Sequence, residues 1–342
     1  MAHLGILGAG NISATHARAA AGIPGVSVAA VWGENQQKAE QIARAHRATP
    51  YGALDAFLTH RPMDIVAIGS PSGLHAEHAR AAVRQGLHVL VEKPLDISVA
   101  RIDPLLSEVD RAGVKLAVFF QDRLKPDLLR AKQLIDENRL GPIVLASARV
   151  KWYRPPEYYT SSRWRGTWQL DGGGALMNQG IHTVDALLWL LGPIASVQAA
   201  SATLVHDIEV EDTAAAVLRF ASGALGVLEA ATSIFPGYPR RLEITGQEGT
   251  VIVNGDRLMA IQLREVTEQS AEGDCTSHSS AVTPVVADAT AHQRILEDFI
   301  ESVRTGREPA CNGREARKSV AVVEAIYESS RTRRMIEVDY SL

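Results

Sequence analysis

Through residue 138 short apolar runs alternate with stretches whose apolar positions recur at helical spacing. The runs at 4–7, 26–32, 64–69, 88–91 and 114–120 are too short for helices. They are mostly apolar without alternation, the pattern of strands covered on both faces of a parallel sheet. Helical stretches lie between them, to residue 21 and at 36–46, 53–60, 74–85, 98–112 and 127–138. Strands alternating with helices predict an α/β, doubly wound parallel sheet. After Gly141-Pro142 the pattern changes. A long strand at 143–152 precedes a loop at 153–170 rich in aromatics and arginine, then a glycine-led apolar helix ended by Gly192. Strand-like runs follow at 194–205, 213–220, 225–231, 241–245, 250–253 and 258–263, joined by turn sequences such as Ser222-Gly223 and Asn254-Gly255. They predict a large, mostly antiparallel sheet in an α+β domain. Residues 264–290 read as a loose excursion, and helices near 291–305 and 313–331 and a strand at 335–338 close the chain. The expected division is 1–122 and 123–342, the final helix packing back on the first domain.

The joints between elements carry the candidate chemistry. The first strand runs into Gly8-Ala9-Gly10-Asn11-Ile12-Ser13, a G-x-G-x-x-S turn before an alanine-rich helix. Its first two glycines permit a tight turn and close approach of backbone N–H groups to a pyrophosphate at a helix N-terminus. Ser13, where glycine or alanine is usual, is small enough for the helix to stay close to the strand. Gly8, Gly10, Asn11 and Ile12 are therefore candidate cofactor contacts. Glu34, just past the second strand, is placed to bind a ribose 2′-hydroxyl. No Arg or Lys lies close enough to suggest a 2′-phosphate pocket, which favours NAD over NADP. Ser70 and Pro71 follow a strand and are expected to line the same crevice, with His75 beside them. His75, Glu77 and His78 read as a solvated helix face, and no metal site is expected.

The stretch His88-Val89-Leu90-Val91-Glu92-Lys93-Pro94 runs a buried strand directly into a lysine. Ligands bind outside the carboxyl ends of strands in such sheets, so Lys93 would hang over the crevice with Glu92 beside it. X-Pro bonds tolerate the cis form, and Lys93–Pro94 is a candidate for it. In the glycine-led helix Asn178, His182 and Asp185 stand at i, i+4 and i+7, one face of a helix. They read either as a satisfied polar seam or, for His182, as a proton carrier near neutral pH. In the aromatic loop, Tyr153, Arg154 and Arg163 suit a polar or anionic ligand, or equally a packed surface.

Composition narrows the classes. At 342 residues two domains are the natural expectation, and 46% hydrophobic with 22% charged residues is ordinary for a globular protein. A net charge of -4 gives no basic footprint for nucleic acid. Cys275 and Cys311 make neither a disulfide framework nor a zinc cluster. No membrane span and no signal peptide is read, and a cytoplasmic location is expected.

A nucleotide-binding pattern carrying Glu92-Lys93-Pro94, followed by Gly-Gly-Gly-x-Leu-x-Asn-x-Gly-x-His-x-x-Asp, resembles the Gfo/Idh/MocA oxidoreductases, named for glucose–fructose oxidoreductase and inositol dehydrogenase. Met177-Asn178-Gln179 and Ser70-Pro71-Ser72-Gly73-Leu74-His75 are similar to the branch containing UDP-N-acetylglucosamine uronate 3-dehydrogenases. The resemblance spans Gly8 to the terminal strand. It implies hydride transfer between NAD(P) and a secondary hydroxyl or ketone of a sugar, sugar derivative or cyclitol, C3 of a pyranose among them. Lys93 would lie by the nicotinamide and bind the reacting oxygen, and His182 would move the proton. The position four before the histidine is often Asp, so Asn178 is expected to orient substrate. Arg123, Tyr153, Arg154, Arg163 and His75 are further candidates for substrate contact. Two alternatives stay open: a glycosidase working through transient C3 oxidation and elimination, and a non-catalytic NAD(P)-binding sensor. The second sheet offers a broad face to a copy of itself, and the resemblance implies a homodimer or homotetramer through it.

Overall fold

The computed structural model describes residues 1–264, 267–269 and 288–342. Cys275 and most of the 264–290 excursion lie outside the described residues. The chain divides into two compact units, Met1–Gln121 with Val285–Arg317, and Asp122–Pro284 with Lys318–Leu342.

The first unit is built on a six-stranded parallel sheet. Its strands are β1 (Ala2–Leu7), β2 (Val26–Trp32), β3 (Thr49–Tyr51), β4 (Ile65–Ile68), β5 (His88–Val91) and β6 (Leu116–Val118), in the order β3-β2-β1-β4-β5-β6. Helices α1 (Asn11–Ala21), α2 (Gln36–His46), α3 (Leu54–Leu58), α4 (His75–Arg84) and α5 (Val99–Ala112) cross between them. The strand interiors are fully buried, with Ile6, Leu7, Val66, Ile68, Leu90 and Val91 at 0% exposure, as apolar runs covered on both faces must be. The alanines of α1 let its backbone lie close to the sheet; Ala17 and Ala20 are wholly buried. Strand order reverses between β1 and β4, and the turns Gly8–Gly10 and Gly69–Ser70 leave the sheet there on the same edge. Such a switch point is where ligands sit in doubly wound folds. The three-residue β3 at the sheet edge is not legible in the hydrophobic pattern.

The second unit carries a nine-stranded sheet. It contains β7 (Ile143–Lys151), β8 (Ile194–Ala202), β9 (Thr213–Phe220), β10 (Leu225–Ala231), β11 (Arg241–Gly246), β12 (Gly249–Asn254), β13 (Arg257–Leu263), β14 (Thr267–Gln269) and β15 (Ile336–Glu337). All neighbours pair antiparallel except β7 and β10, which are parallel. Helix α6 (Pro126–Asp136) packs near β12 and β13, and α8 (Ile181–Leu191) near β7; α7 (Pro156–Thr160) is a short turn inside the aromatic loop that the pattern gives no sign of. Along β9 the buried residues Ala214, Ala216, Leu218 and Phe220 alternate with outward Ala215, Val217 and Arg219, the signature of a sheet packed on one side. Helices α9 (Thr290–Thr305) and α10 (Gly313–Thr332) close the chain. The start of α10 is tied to α5 by Arg317, which holds Asp103 at 2.5 and 3.0 Å, and by Arg314 to Asp110 at 2.6 Å.

Candidate active site

At the end of β1 the backbone of Gly8 turns at φ +118°, and a Cβ there would sit 2.6 Å from the Gly69 carbonyl and 2.8 Å from Ser13 Oγ. Only glycine fits such a position. A Cβ on Gly10 would meet nothing within 4 Å, so the space before α1 is open. Gly10 caps α1 without a side chain, and the first turn holds no acidic residue. The first N–H groups of α1 are thus left to a ligand, and the cradle fits the diphosphate of a dinucleotide. Asn11 is exposed and Ile12 half-buried beside it, while Ser13 is wholly buried where the third small residue belongs. Glu34 is exposed in the turn after β2, and Asn35 caps α2 by accepting from the Lys38 amide at 3.0 Å.

The loop after β4 is held by two histidines that the sequence reading misplaces on a solvated face. His75 is 1% and His78 8% exposed. The His75 ring spans two loops, with Nε2 2.8 Å from the Ser70 carbonyl and Nδ1 2.6 Å from that of Pro94. Both ring nitrogens of His75 are thus engaged by backbone carbonyls, and the ring ties the two loops together. His78 Nδ1 bonds Ser70 Oγ at 2.9 Å, and burial pushes its pKa down to about 4. Asp96 completes the brace, accepting from the Ala76 and Ile97 amides at 2.9 and 2.7 Å and pairing with Arg101 at 2.8 Å.

Lys93 leaves the carboxyl end of β5 half-buried, and its bond to Pro94 is cis as anticipated. Glu92 turns inward and is 7% exposed. Its Oε1 meets His16 Nε2 at 2.9 Å, and its Oε2 accepts from the Lys93 amide at 3.2 Å. His292 Nε2 lies 3.6 Å from the same Oε1. The sequence gives no hint of His16 or His292, since each is a lone histidine on an amphipathic helix.

In the second unit the glycine-led stretch is a π-helical turn, Ala175–Gly180, that runs into α8. Such turns are rare and favour functional sites. Because the turn is wider than an α-helix, the expected i, i+4, i+7 face is broken, and each polar residue finds its own partner. Asn178 donates to Asp171, a buried carboxylate the sequence reading does not single out. Gln179 donates to Asn178 Oδ1 at 2.7 Å and to the Tyr158 hydroxyl at 3.0 Å, and accepts from Arg154 at 2.8 Å. Asp185 is wholly buried and takes both prongs of Arg123 at 2.9 and 2.6 Å. Arg123 and Arg154 are 4% and 1% exposed, and each holds a polar partner within the second unit. Arg163 is exposed, and Tyr153 is half-buried against Phe235 with ring centroids 5.3 Å apart. His182 is half-buried at the start of α8. Burial would raise the neighbouring Asp122, but Arg240, Lys125 and His182 together hold its carboxyl well below the usual range.

Residues 2–120 match the oxidoreductase family with an NAD-binding Rossmann fold, and residues 128–252 match the GFO/IDH/MocA C-terminal domain. The structure is similar to the WlbA dehydrogenase of Bordetella pertussis, solved in complex with NADH and UDP-GlcNAcA, with a TM-score of 0.87, 33% identity and 98% of each chain covered. In sequence the chain is 28% identical to an inositol 2-dehydrogenase of Rhizobium meliloti, over 98% of both chains. It is 29% identical to D-xylose 1-dehydrogenase (NADP(+)) 2 of Haloferax volcanii, over 98% of this chain and 99% of that one. With the glycine cradle, the lysine at the end of β5 and matches spanning both units, the chain belongs to the GFO/IDH/MocA family of NAD-binding oxidoreductases.

Proposed function

We propose that this protein oxidises, or in reverse reduces, a secondary hydroxyl on a pyranose derivative, with UDP-GlcNAcA the first candidate and C3 the first candidate carbon. The observation carrying the reading is Lys93, which leaves the end of β5 on the same sheet edge as the Gly8–Gly10 cradle at the end of β1. A bound nicotinamide supplies hydride transfer. The chain supplies the rest. The first turn of α1 binds the diphosphate, and Glu34 binds the adenosine ribose, which favours NAD. The Lys93 ammonium binds the reacting oxygen and stabilises negative charge developing there, while the His182 imidazole takes the hydroxyl proton and returns it in the reverse direction. Asn178, fixed by Asp171 and Gln179, orients the sugar. Tyr153 and Arg163 contribute further contacts from the aromatic loop.

The family membership and the WlbA likeness support this substrate class. The reaction belongs where a nicotinamide pool is held, the cytoplasm, and the protein works as a homodimer or homotetramer through the outer face of its second sheet. The test is absorbance of reduced nicotinamide with NAD or NADP and a panel of UDP-GlcNAcA, myo-inositol and D-xylose. The expected result is net NADH with the nucleotide sugar, lost in Lys93→Ala and His182→Ala. Release of an aglycone from a glycoside with no net NADH would instead establish the closed redox cycle and overturn the proposal.

A further inference from the structure

His16, Glu92 and His292 are all buried, and among the described residues they alone form a trio of potential metal ligands, with donor atoms within 4.8 Å of one another. The proton inventory decides what the trio is. Glu92 Oε2 accepts from the Lys93 amide at 3.2 Å, and Oε1 faces His16 Nε2 at 2.9 Å and His292 Nε2 at 3.6 Å. On the far side of each ring, Nδ1 of His16 and Nδ1 of His292 have no hydrogen-bond partner among the described residues. A buried N–H without an acceptor is rare, whereas an unpaired lone pair is tolerated more readily. Three states put a proton on Nδ1: a metal on Nε2, an imidazolium, and a neutral glutamic acid donating to Nε2. Ligating imidazoles in particular donate their second N–H to a partner, and these two have none. For His16 the state that leaves no stranded donor is a neutral imidazole with its proton on Nε2, facing an ionised Glu92; His292 backs the same oxygen from 3.6 Å. The titration directions agree. Burial drives His16 down, and although burial alone would raise Glu92, the His16 and His292 contacts hold it well below the ordinary range.

We propose that His16 and His292 are positioning residues: as neutral imidazoles they clamp Glu92 as a carboxylate whose second oxygen holds the Lys93 backbone, and so fix where the lysine leaves the sheet. His16 stacks on Phe119 with ring centroids 4.3 Å apart and planes at 8°, which leaves its Nε2 a single direction. It also lies little more than one turn along α1 from the diphosphate cradle, so one rigid helix sets both the cofactor's anchor and the lysine. The inference rests on the reading that Lys93 binds the reacting oxygen.

The test compares full-length wild type with His16→Leu, His16→Gln and His292→Leu. Hydrogen–deuterium exchange of the Lys93 amide is read by mass spectrometry on the segment spanning residues 88–95, with no substrate needed. His16→Leu should speed that exchange by about tenfold or more, and His16→Gln, whose amide reaches the Nε2 position, should restore protection. His292→Leu, from the longer contact, should give a smaller change and stands in if His16→Leu does not fold. With NAD and UDP-GlcNAcA, His16→Leu should lower kcat by roughly 10–100-fold with KM within about twofold, the pattern of a displaced catalytic group. Unchanged Lys93 exchange in the soluble leucine variants overturns the clamp, whatever their stability. Lys93→Ala with wild-type turnover overturns the role of the lysine and this inference with it. An inactive Lys93→Ala beside unaltered exchange in His16→Leu overturns this inference alone.

Discussion

The guanidinium of Arg123 lies flat against Asp185, and neither group reaches water, at 4% and 0% exposure. Ser319 Oγ adds a third contact to the carboxylate at 3.3 Å. Removing one partner strands a buried charge, so Asp185→Ala should cost about 3–5 kcal/mol in urea unfolding. Arg123→Met combined with Asp185→Leu should recover most of that loss; a double variant no better than Asp185→Ala would refute this account of the pair. His78 gives a pH dependence of definite sign. Its pKa falls from 6.5 to about 4 on burial, so the folded protein binds fewer protons than the unfolded chain in that window. The stabilisation is complete above pH 6.5 and is lost as pH falls through about 4. Between pH 7 and pH 4.5 this histidine should account for roughly 2–3 kcal/mol of lost stability. His78→Asn, keeping a nitrogen or oxygen near Ser70, should flatten the pH dependence of the unfolding free energy by that amount, and an unaltered slope would count against it. At this scale the sequence names the right chemistry but not its pairing. Arg123 and Asp185 both stand out in the chain, yet only the fold shows that each is the other's partner. Ring burial likewise decides that His75 and His78 brace a loop, and a spacing of three cannot reveal it.

The element that holds His182 depends on two glycines for a reason of contact, to which Gly173 adds a φ of +151°. A Cβ on Gly174 would run into the Glu211 backbone carbonyl, and one on Gly173 into the Tyr327 hydroxyl. Those two residues are what fix the turn. Glu211 accepts from the Gly174 and Leu176 amides at 3.1 and 2.7 Å, and Tyr327 donates to Glu211 at 2.9 Å. The free amides at the start of the π-helical turn are therefore satisfied by a carboxylate 37 residues onward. Gly174→Ala must push this strut away. It should destabilise the protein by about 1–3 kcal/mol, as overpacking does, and lower kcat by shifting His182. Unfolding midpoint and steady-state kinetics would check both, and a variant of wild-type stability and turnover would mean the strut yields without cost. The glycine run and the apolar stretch ending at Gly192 are legible as a helix with a special entry. The widening to a π-turn is not, because its cause, Glu211 with Tyr327, comes from the loop before β9 and from α10. Strands β9 and β10 fall where the alternation places them, whereas β3 and α7 are too short to leave a period.

Across the molecule, the segment Val285–Arg317 returns to the first unit, and His292 comes with it. An amphipathic helix announces that one face will be buried but not against what, so a clamp joining residues 16, 92 and 292 is outside the reach of pattern. The same limit applies in reverse to the outer face of the second sheet. There Leu145, Val217, Leu225 and Val227 are between 38% and 55% exposed. They are contiguous: Leu225 pairs with Leu145 across β10 and β7, and Val227 with Val217 across β10 and β9. A continuous apolar patch on a sheet face is costly to leave in water, and such patches favour interaction surfaces. A second copy of the same face is the simplest complement, since a two-fold contact is self-complementary. Wild type should therefore run as a dimer or tetramer by light scattering at micromolar concentration. Val217→Glu with Val227→Glu, placing like charges at the middle of the face, should shift it to monomer while leaving the NAD affinity of the first unit unchanged. A monomeric wild type would remove the sheet from consideration as an interface. An oligomer indifferent to both substitutions would place the contact elsewhere on the molecule.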